Sequence, residues 1–292
     1  MSSENKTAIL SLPIIHLIGV LLAWAGSQYS QNFSGMPIYA ICIFVAFLVQ
    51  WLVFIPAFRL QTEKFYDLTG SITYITTASL ALFLSKNIDL RSRLVWLLIV
   101  IWAGRLGSFL FMRIRKDGKD RRFDSIKTSF FRFLMAWSIQ GLWVSFSCAA
   151  AFVAITSSRR LPMDVWAYAG LGIWIVGFAI EAIADKQKSI FKQNPDNKDK
   201  FIQSGLWSWS RHPNYFGEIL LWLGIAVIAF PTLQGWQYFT LISPVFVVVL
   251  LTKISGVPML EEKSDKKWGG LEEYENYKKK TSVLILLPPK KI

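Results

Sequence analysis

Long apolar runs constrain this chain more than any other feature. A transmembrane helix needs about 20 predominantly apolar residues, and only 17% of the chain is charged, against about 25% in soluble domains. We therefore predict an all-α integral membrane protein built as a bundle of seven to eight transmembrane helices. The predicted spans are Leu12–Ala25, Ile38–Phe58, Leu68–Leu84, Leu94–Met112, Phe133–Ile155, Trp166–Ile183, Tyr215–Phe230 and Phe239–Ile254.

The basic residues are concentrated in a few connecting segments. Seven lie in Arg113–Ser129 and six in Asp185–Pro213, whereas Gly26–Pro37 and Pro231–Tyr238 carry no charge. With eight spans, the basic loops and both termini fall on one side, which the positive-inside rule assigns to the cytoplasm. The net charge of +13 therefore indicates cytoplasmic loops and an anionic ligand rather than nucleic acid. The basic residues at positions 86–93 and 159–160 do not fit this scheme.

The two cysteines, Cys42 and Cys148, lie in apolar runs far apart in sequence. This placement predicts buried packing residues, with neither a disulfide framework nor metal-ligand spacing. No phosphate-binding glycine motif and no metalloprotease motif is found in the sequence. We predict no metal site.

Arg105, in "VIWAGRLGSFLF", is an ionisable residue inside an apolar span, and such residues are functional candidates by default. It either snorkels to the cytoplasmic surface or helps to hold a phosphate-bearing ligand. Arg113 and Arg122 follow at the same membrane face and favour the second interpretation.

Two carboxylates lie in "GFAIEAIADKQKSIFK". Glu181 and Asp185 are four residues apart, so their side chains share one helix face. They either form a structural ion pair with Arg105 or Lys188, or accept hydroxyl and amide protons from a ligand.

A third polar group is "SRHPNYFGE". Pro213 suits the first turn of a helix, and a helix start attracts anions. Arg211 and His212 add charge there, while Asn214 and Glu218 share one face and can bind a group with mixed donors and acceptors. Glu218 also has a purely structural interpretation as a first-turn acid.

Asp67 stands at the start of the third span, with Tyr74 two turns further on the same face. Asp67 is either a helix-capping acid or, together with Tyr74, a pair that binds a carbonyl oxygen.

The segments "EAIADKQKSIFK", "GLWSWSRHPNYFGE" and "EEYENYKKKTSVLILLPP" resemble the steroid 5-alpha-reductase superfamily, in particular its bacterial branch of membrane reductases. The resemblance runs from Asp67 to the end, so residues 1–66 form N-terminal transmembrane helices and residues 67–292 a steroid-reductase-like catalytic domain. It implies a helical bundle that encloses a cofactor and substrate cavity, binds NADPH and reduces the carbon–carbon double bond of an enone. The substrate would be a steroid-like or other lipid from the bilayer. The implied location is a bacterial inner membrane, with both termini and the cofactor site cytoplasmic.

The resemblance also implies roles for single residues. Asp185 is similar to the family's cofactor-binding aspartate, and Lys192 stands where the family has an arginine. Asn214 and Glu218 match its Asn-x-x-x-Glu signature, and Arg105 matches an arginine in the helix that borders both ligands. The remaining residues of the predicted cofactor set are Arg113, Arg122, Glu181, Arg211, His212, Tyr215 and Lys253.

The predicted substrate site departs from the family pattern. Steroid reductases of the family bind the substrate carbonyl with a glutamate and a tyrosine, where this chain has Asp67 and Trp102. Because an indole is no useful acid, we predict that Tyr74 replaces the tyrosine. Asp67, with a pKa raised by burial, and Tyr74 are the predicted catalytic residues.

Two other functions remain open. Membrane methyltransferases of the isoprenylcysteine carboxyl type also have "RHP-x-Y" at a helix entrance and paired glutamates downstream, for which Glu261 and Glu262 are available. Their cofactor, S-adenosylmethionine, is a cation and does not need the basic residues. A transporter or structural membrane protein would leave the polar residues unexplained. We predict the reductase, with the methyltransferase as the alternative, a hydrophobic substrate and membrane lipid as partners, and no nucleic acid.

Overall fold

The structure is a computed structural model that describes residues 3–290, except for the side chains of Asp117 and Arg121. Its helices are α1 (Ser3–Ser27), α2 (Ile38–Arg59), α3 (Tyr66–Leu84), α4 (Leu90–Asp117), α5 (Phe130–Ser147), α6 (Ala149–Thr156), α7 (Val165–Gln193), α8 (Pro213–Ala229), α9 (Ile242–Val249), α10 (Gly256–Trp268) and α11 (Glu272–Lys280). Short 3-10 turns lie between several of them, and Leu250–Ile254 is π-helical. The strands β1 (Asn32–Phe33) and β2 (Met36–Pro37) form a small antiparallel hairpin.

The predicted all-α membrane architecture is confirmed. Within residues 3–290, six helical segments are long and apolar enough to cross a membrane, and a seventh span results if α5 and α6 cross together. The protein is therefore a multi-pass integral membrane protein. The predicted third span does form a helix, α3, but it is not among these six because hydroxyl side chains interrupt its apolar run. Thr73 and Thr77 in this helix donate to the carbonyl oxygens four residues earlier, at 2.7 Å.

The predicted span Phe133–Ile155 consists of two helices rather than one. It is broken at Cys148, where α5 and α6 meet at 54°. A break frees backbone carbonyls that need other donors in an apolar bundle. The Ser243 hydroxyl supplies one of them, donating to the Ser147 carbonyl oxygen at 2.6 Å. Every residue of α6 is buried, so the bend inserts an apolar turn into the core.

Contacts divide the chain into two compact units. The first contains the residues up to Ala167 together with Ile228–Ser243, and the second contains Tyr168–Val227 together with the residues from Pro244 onward. The sequence predicted a different division, into N-terminal helices (1–66) and a catalytic domain (67–292). That division is defined by function rather than by contacts and stays a prediction. Both cysteines lie in the first unit and are buried free thiols.

The first unit explains two of the basic residues that do not fit the charge pattern, Arg91 and Arg160. Arg91 is fully buried, and its guanidinium donates to the carbonyl oxygens of Ile228 and Pro162 at 2.9 and 2.8 Å. It also pairs with Asp164 at 2.9 Å. Arg160 donates to the Ser92 hydroxyl at 2.7 Å. These arginines satisfy internal acceptors, so they do not report on membrane orientation.

Glycines bring α7 and α8 into backbone contact in the second unit. A Cβ atom at Gly177 would lie 2.6 Å from the Gly217 carbonyl oxygen, and one at Gly217 would lie 2.6 Å from the Glu181 nitrogen. Two turns further along, a Cβ atom at Gly224 would lie 2.6 Å from the Gly170 carbonyl oxygen. The glycines in each helix are seven residues apart and so lie on one face. Small residues of this kind let membrane helices approach closely.

The C-terminal tail packs beside the segment that leads into α8. The Arg211 nitrogen donates to the Ser282 carbonyl oxygen at 2.8 Å, and the Leu287 nitrogen donates to the Trp209 carbonyl oxygen at 3.2 Å. The Tyr277 hydroxyl in α11 donates to the Trp207 carbonyl oxygen at 2.7 Å. The entrance of α8 is therefore held by residues that are about 70 positions away in sequence.

Candidate functional site

The helix start predicted at Pro213 is confirmed, since α8 begins there. The turn before it is fixed by Ser210, whose hydroxyl donates to the Leu284 carbonyl oxygen at 2.8 Å and accepts from the His212 nitrogen at 3.1 Å. The polar side chains of "SRHPNYFGE" therefore project from a rigid turn rather than from a free loop.

Asp185 and Asn214 come together where α7 and α8 face each other. The Asn214 amide donates to the Asp185 carboxylate at 3.2 Å, and Asp185 is 7% exposed. Glu181 lies one turn earlier on the same face of α7 and is 2% exposed. Both carboxylates thus share one face of α7, as their spacing predicted, and the structure shows that this face is buried. The glycine contact at Gly217 sets their distance from α8.

Glu261 joins the site from α10. One of its carboxylate oxygens lies 2.7 Å from Nε2 of His212, and the other lies 2.7 Å from the Arg211 guanidinium. The Tyr215 ring lies parallel to the His212 ring, with an interplanar angle of 8° and centroids 5.6 Å apart. The imidazole is therefore fixed both at its edge and on its face.

Burial lowers the pKa of His212 below its usual value, and the nearby cations Lys188 and Arg211 act in the same direction. The hydrogen bond to Glu261 opposes this shift without cancelling it. His212 is consequently neutral at pH 7. Its other ring nitrogen, Nδ1, is buried and has no hydrogen-bond partner among the residues that the structure describes.

The second unit contains three more residues of the predicted cofactor set, Glu218, Lys192 and Lys253. Glu218 is half-buried one turn beyond Asn214. Lys192 is exposed in the last turn of α7, and Lys253 is exposed in the π-helical turn before α10. Lys188, which was considered only as an ion-pair partner, lies 4.3 Å from the centroid of the Trp207 ring in a cation–π contact.

In the first unit, Asp67 lies beside two of the arginines predicted to bind cofactor. Its carboxylate is 3.5 Å from the Arg113 guanidinium and 3.9 Å from that of Arg122. Burial raises the pKa of Asp67, while the two arginines partly oppose the shift. Arg122 is tied more closely to Asp120, to which its Nε donates at 2.8 Å. Two residues given separate roles, Asp67 and Arg122, thus belong to one charged cluster.

Tyr74 is buried in the same unit and packs edge-to-face against Trp102, with ring centroids 5.0 Å apart and an interplanar angle of 87°. Arg105 is half-buried in α4. The tyrosine predicted to act in place of Trp102 is thus in contact with it.

Glu261 was the main omission from the predicted reductase site. The sequence connected it only with the methyltransferase alternative, because nothing in "EEKSDKKW" distinguishes an inward-facing acid from a solvated one. The glycine spacing in α7 and α8 was a usable signal, since it predicts which faces of the two helices meet.

The chain belongs to the family described as "Protein of unknown function (DUF1295)", whose model matches residues 53–281. This family lies within the steroid 5-alpha-reductase superfamily, so the resemblance seen in the sequence is confirmed. No solved structure matches the chain.

Three curated relatives illustrate the similarity. A steroid 5-alpha-reductase DET2 of Gossypium hirsutum is 42% identical over 60 residues, which are 20% of this chain and 23% of that protein. The 3-oxo-5-alpha-steroid 4-dehydrogenase 1 of Bos taurus is 25% identical over 116 residues, 40% of each chain. A probable O-methyltransferase, ustE of Ustilaginoidea virens, is 31% identical over 91 residues, 31% of this chain and 32% of that protein. The chain thus spans at most two fifths of the length of these relatives.

Proposed function

We propose that the protein is an NADPH-dependent membrane oxidoreductase that reduces the carbon–carbon double bond of an enone in a steroid-like or other lipid substrate. The similarity to steroid reductases supports the reaction class. The observation that carries the proposal is the part-buried hydrogen bond from Asn214 to the buried Asp185, beside the Arg211–His212 turn. We further propose that the substrate enters from the bilayer and that the cofactor site and both termini are cytoplasmic, in a bacterial inner membrane.

The residues of the second unit suit a dinucleotide. Asp185 offers a carboxylate that accepts hydroxyl or amide protons, and Asn214 offers both a donor and an acceptor. Arg211 and Lys188 place positive charge at the start of α8, where the helix dipole also favours anions. His212 adds a buried ring nitrogen with no partner among the described residues. Phosphates, hydroxyls and an amide are the groups that such a set binds.

When bound, NADPH supplies a hydride. The protein's part is to hold the reactants in position and to stabilise charge where it develops. We propose that Asp185, Asn214 and Glu218 orient the cofactor and that Lys192 and Arg211 bind its phosphates. Arg105, Arg113, Arg122, Glu181, Tyr215 and Lys253 complete the proposed cofactor set.

For the first unit we propose a separate role. Asp67 and Tyr74 donate hydrogen bonds to the carbonyl oxygen of the substrate, which gains negative charge during reduction. Burial raises the pKa of Asp67 and so acts toward the protonated form that can donate, while Arg122 and Arg113 act in the opposite direction. Asp67→Asn should leave NADPH binding unchanged and lower turnover about 10²–10³-fold. Asp124→Asn, in the segment between α4 and α5, is the matched control, and wild-type turnover in Asp67→Asn would remove Asp67 from the mechanism.

The cofactor is tested by ligand-dependent melting of the detergent-purified protein with NADPH, NADH and S-adenosylmethionine. A ligand at 100 times its Kd stabilises a fold by about 2.7 kcal/mol, which is readily measured. A shift with NADPH alone supports the reductase. Asn214→Ala and Glu218→Gln should then reduce the shift, and folded variants that bind NADPH as tightly as the parent would refute the proposed cofactor site.

A second candidate function is an S-adenosylmethionine-dependent membrane methyltransferase. It is favoured by the similarity to a probable O-methyltransferase and by the contact of Glu261 with the "RHP-x-Y" turn. A melting shift with S-adenosylmethionine and none with NADPH would replace the reductase by this function.

A further inference from the structure

We propose that Nδ1 of His212 is a ligand-facing acceptor, which binds a hydroxyl or amide N–H of the nucleotide cofactor, and that Glu261 is the positioning residue that fixes it in this form. This inference rests on the proposed function only in assuming a nucleotide cofactor, since NADPH and S-adenosylmethionine both carry ribose hydroxyls and nitrogen donors.

The contact at Nε2 determines which nitrogen carries the proton. Nε2 of His212 lies 2.7 Å from a Glu261 oxygen, and the Arg211 guanidinium lies 2.7 Å from the other oxygen. A carboxylate between an arginine and an imidazole can only accept, so Nε2 must carry the hydrogen. In a neutral imidazole the other nitrogen is then a bare acceptor.

The orientation of the His212 ring fixes the position of Nδ1. Rotating the ring would break the bond to Glu261, and the parallel ring of Tyr215, 5.6 Å away, restricts the plane of the imidazole. Tyr215 is itself confined, because a Cβ atom at Gly256 would lie 2.7 Å from its ring. His212 is 4% exposed, and a buried acceptor without a donor is unfavourable. A ligand donor would remove this cost.

The residues next to His212 indicate which group of the cofactor donates the hydrogen bond to Nδ1. Asp185 also presents an acceptor, so two acceptors flank the start of α8. Two acceptors recognise a group with donors of its own and reject one that has only acceptors. Ribose hydroxyls and a carboxamide meet this requirement, whereas a phosphate does not. Nδ1 of His212 therefore accepts a hydrogen bond from a hydroxyl or amide of the cofactor, and the cationic residues bind the phosphates.

Two substitutions separate the two nitrogens. His212→Asn keeps an acceptor close to the position of Nδ1 and loses the group that reaches Glu261, whereas His212→Gln keeps a donor for Glu261 and loses the Nδ1 acceptor. We expect His212→Asn to bind NADPH within about threefold of the parent and His212→Gln to bind about tenfold more weakly, the cost of one hydrogen bond. Melting temperatures without ligand establish that both variants are folded.

The reverse order of affinities would overturn the proposal, because it would mean that His212 serves only to hold Glu261. Equal affinities in both variants and the parent would overturn it as well. The reduced 3-acetylpyridine analogue of NADPH, which lacks the amide N–H, identifies the donor. If His212→Gln weakens the analogue less than NADPH, the donor is the amide, and an equal effect assigns it to a hydroxyl.

The same two variants distinguish a failure of the proposed role of Nδ1 from a failure of the proposed reductase function. If the parent binds S-adenosylmethionine and not NADPH, the reductase fails, and the order of His212→Asn and His212→Gln is measured with S-adenosylmethionine instead. The predicted order would then still support the role of Nδ1. Binding of neither cofactor by the folded parent would overturn both proposals.

Discussion

The contact between α7 and α8 leads to a sharp prediction for Gly217. A Cβ atom there would lie 2.6 Å from both the Glu181 nitrogen and the Gly177 carbonyl oxygen. Carbon atoms approach such backbone atoms no closer than about 3 Å, so Gly217→Ala must separate the helices locally. Overpacking of this kind typically costs about 1–3 kcal/mol. Because Asp185 and Asn214 meet beside this contact, the separation should also weaken cofactor binding.

Two further alanine variants make the test specific. Gly224→Ala introduces an equal clash, 2.6 Å from the Gly170 carbonyl oxygen, but does so two turns away from the polar site. It should lower stability without changing cofactor affinity. Gly172→Ala lies on α7, where nothing is within 4 Å of the added carbon, and it should be neutral or stabilising by up to about 1 kcal/mol.

Thermal unfolding in detergent and a titration with NADPH measure the two effects. We expect the order of stability Gly172→Ala, parent, then Gly224→Ala and Gly217→Ala together, with reduced affinity in Gly217→Ala alone. If Gly217→Ala were as stable as the parent, the backbone contact between the helices would be refuted. If it lost stability and kept full affinity, the helix spacing would not control the site.

Three other predictions follow from single contacts. Arg91→Met should destabilise the protein by about 2–5 kcal/mol, since it removes the donor from one buried and one part-buried carbonyl oxygen, whereas the exposed Arg93→Gln is a control expected to stay within about 0.5 kcal/mol. Unfolding experiments on the two variants show whether Arg91 stabilises the fold through these hydrogen bonds or acts only as a surface charge. Tyr277→Phe removes the hydroxyl that donates to the Trp207 carbonyl oxygen and should cost about 1 kcal/mol, measured by thermal melting. Because burial lowers the pKa of His212 in the folded state, its contribution to stability is present above about pH 6.5 and is lost as the pH falls below that value. His212→Gln should remove this part of the pH dependence of the melting temperature, and an unchanged pH profile would show that other groups produce it.

The sequence predicted most of what depends on local physics. Apolar runs predicted the membrane helices, because each span must satisfy its own backbone hydrogen bonds. Pro213 predicted the start of α8, and the four-residue spacing of Glu181 and Asp185 predicted a shared helix face. The break at Cys148 was missed, since no proline or glycine marks it and the freed carbonyl is satisfied by a distant serine.

The parts that depend on tertiary contacts were less accessible. Spacing placed Asp185 on one face of α7 and Asn214 on one face of α8, but it did not show that these faces meet. The contact of Glu261 with His212 joins residues 49 positions apart, and no local pattern encodes it. Asp120 and Arg122 are the opposite case, since an acid two residues before an arginine in a loop already indicates the local pair that the structure contains.

The pairing of Arg211 changes how the phosphate-binding residues should be assigned. The sequence treated Arg211 as a cation for cofactor phosphates, yet its guanidinium lies 2.7 Å from Glu261, so a large part of its charge is matched within the protein. Lys253 is exposed, so its side chain can reorient toward a phosphate at little cost. Burying phosphates beside Asp185 and Glu261 requires further positive charge, whereas a sulfonium cofactor would be attracted by the same carboxylates. The choice between the two candidate functions therefore depends on the exposed Lys253 more than on Arg211, which is already paired with Glu261.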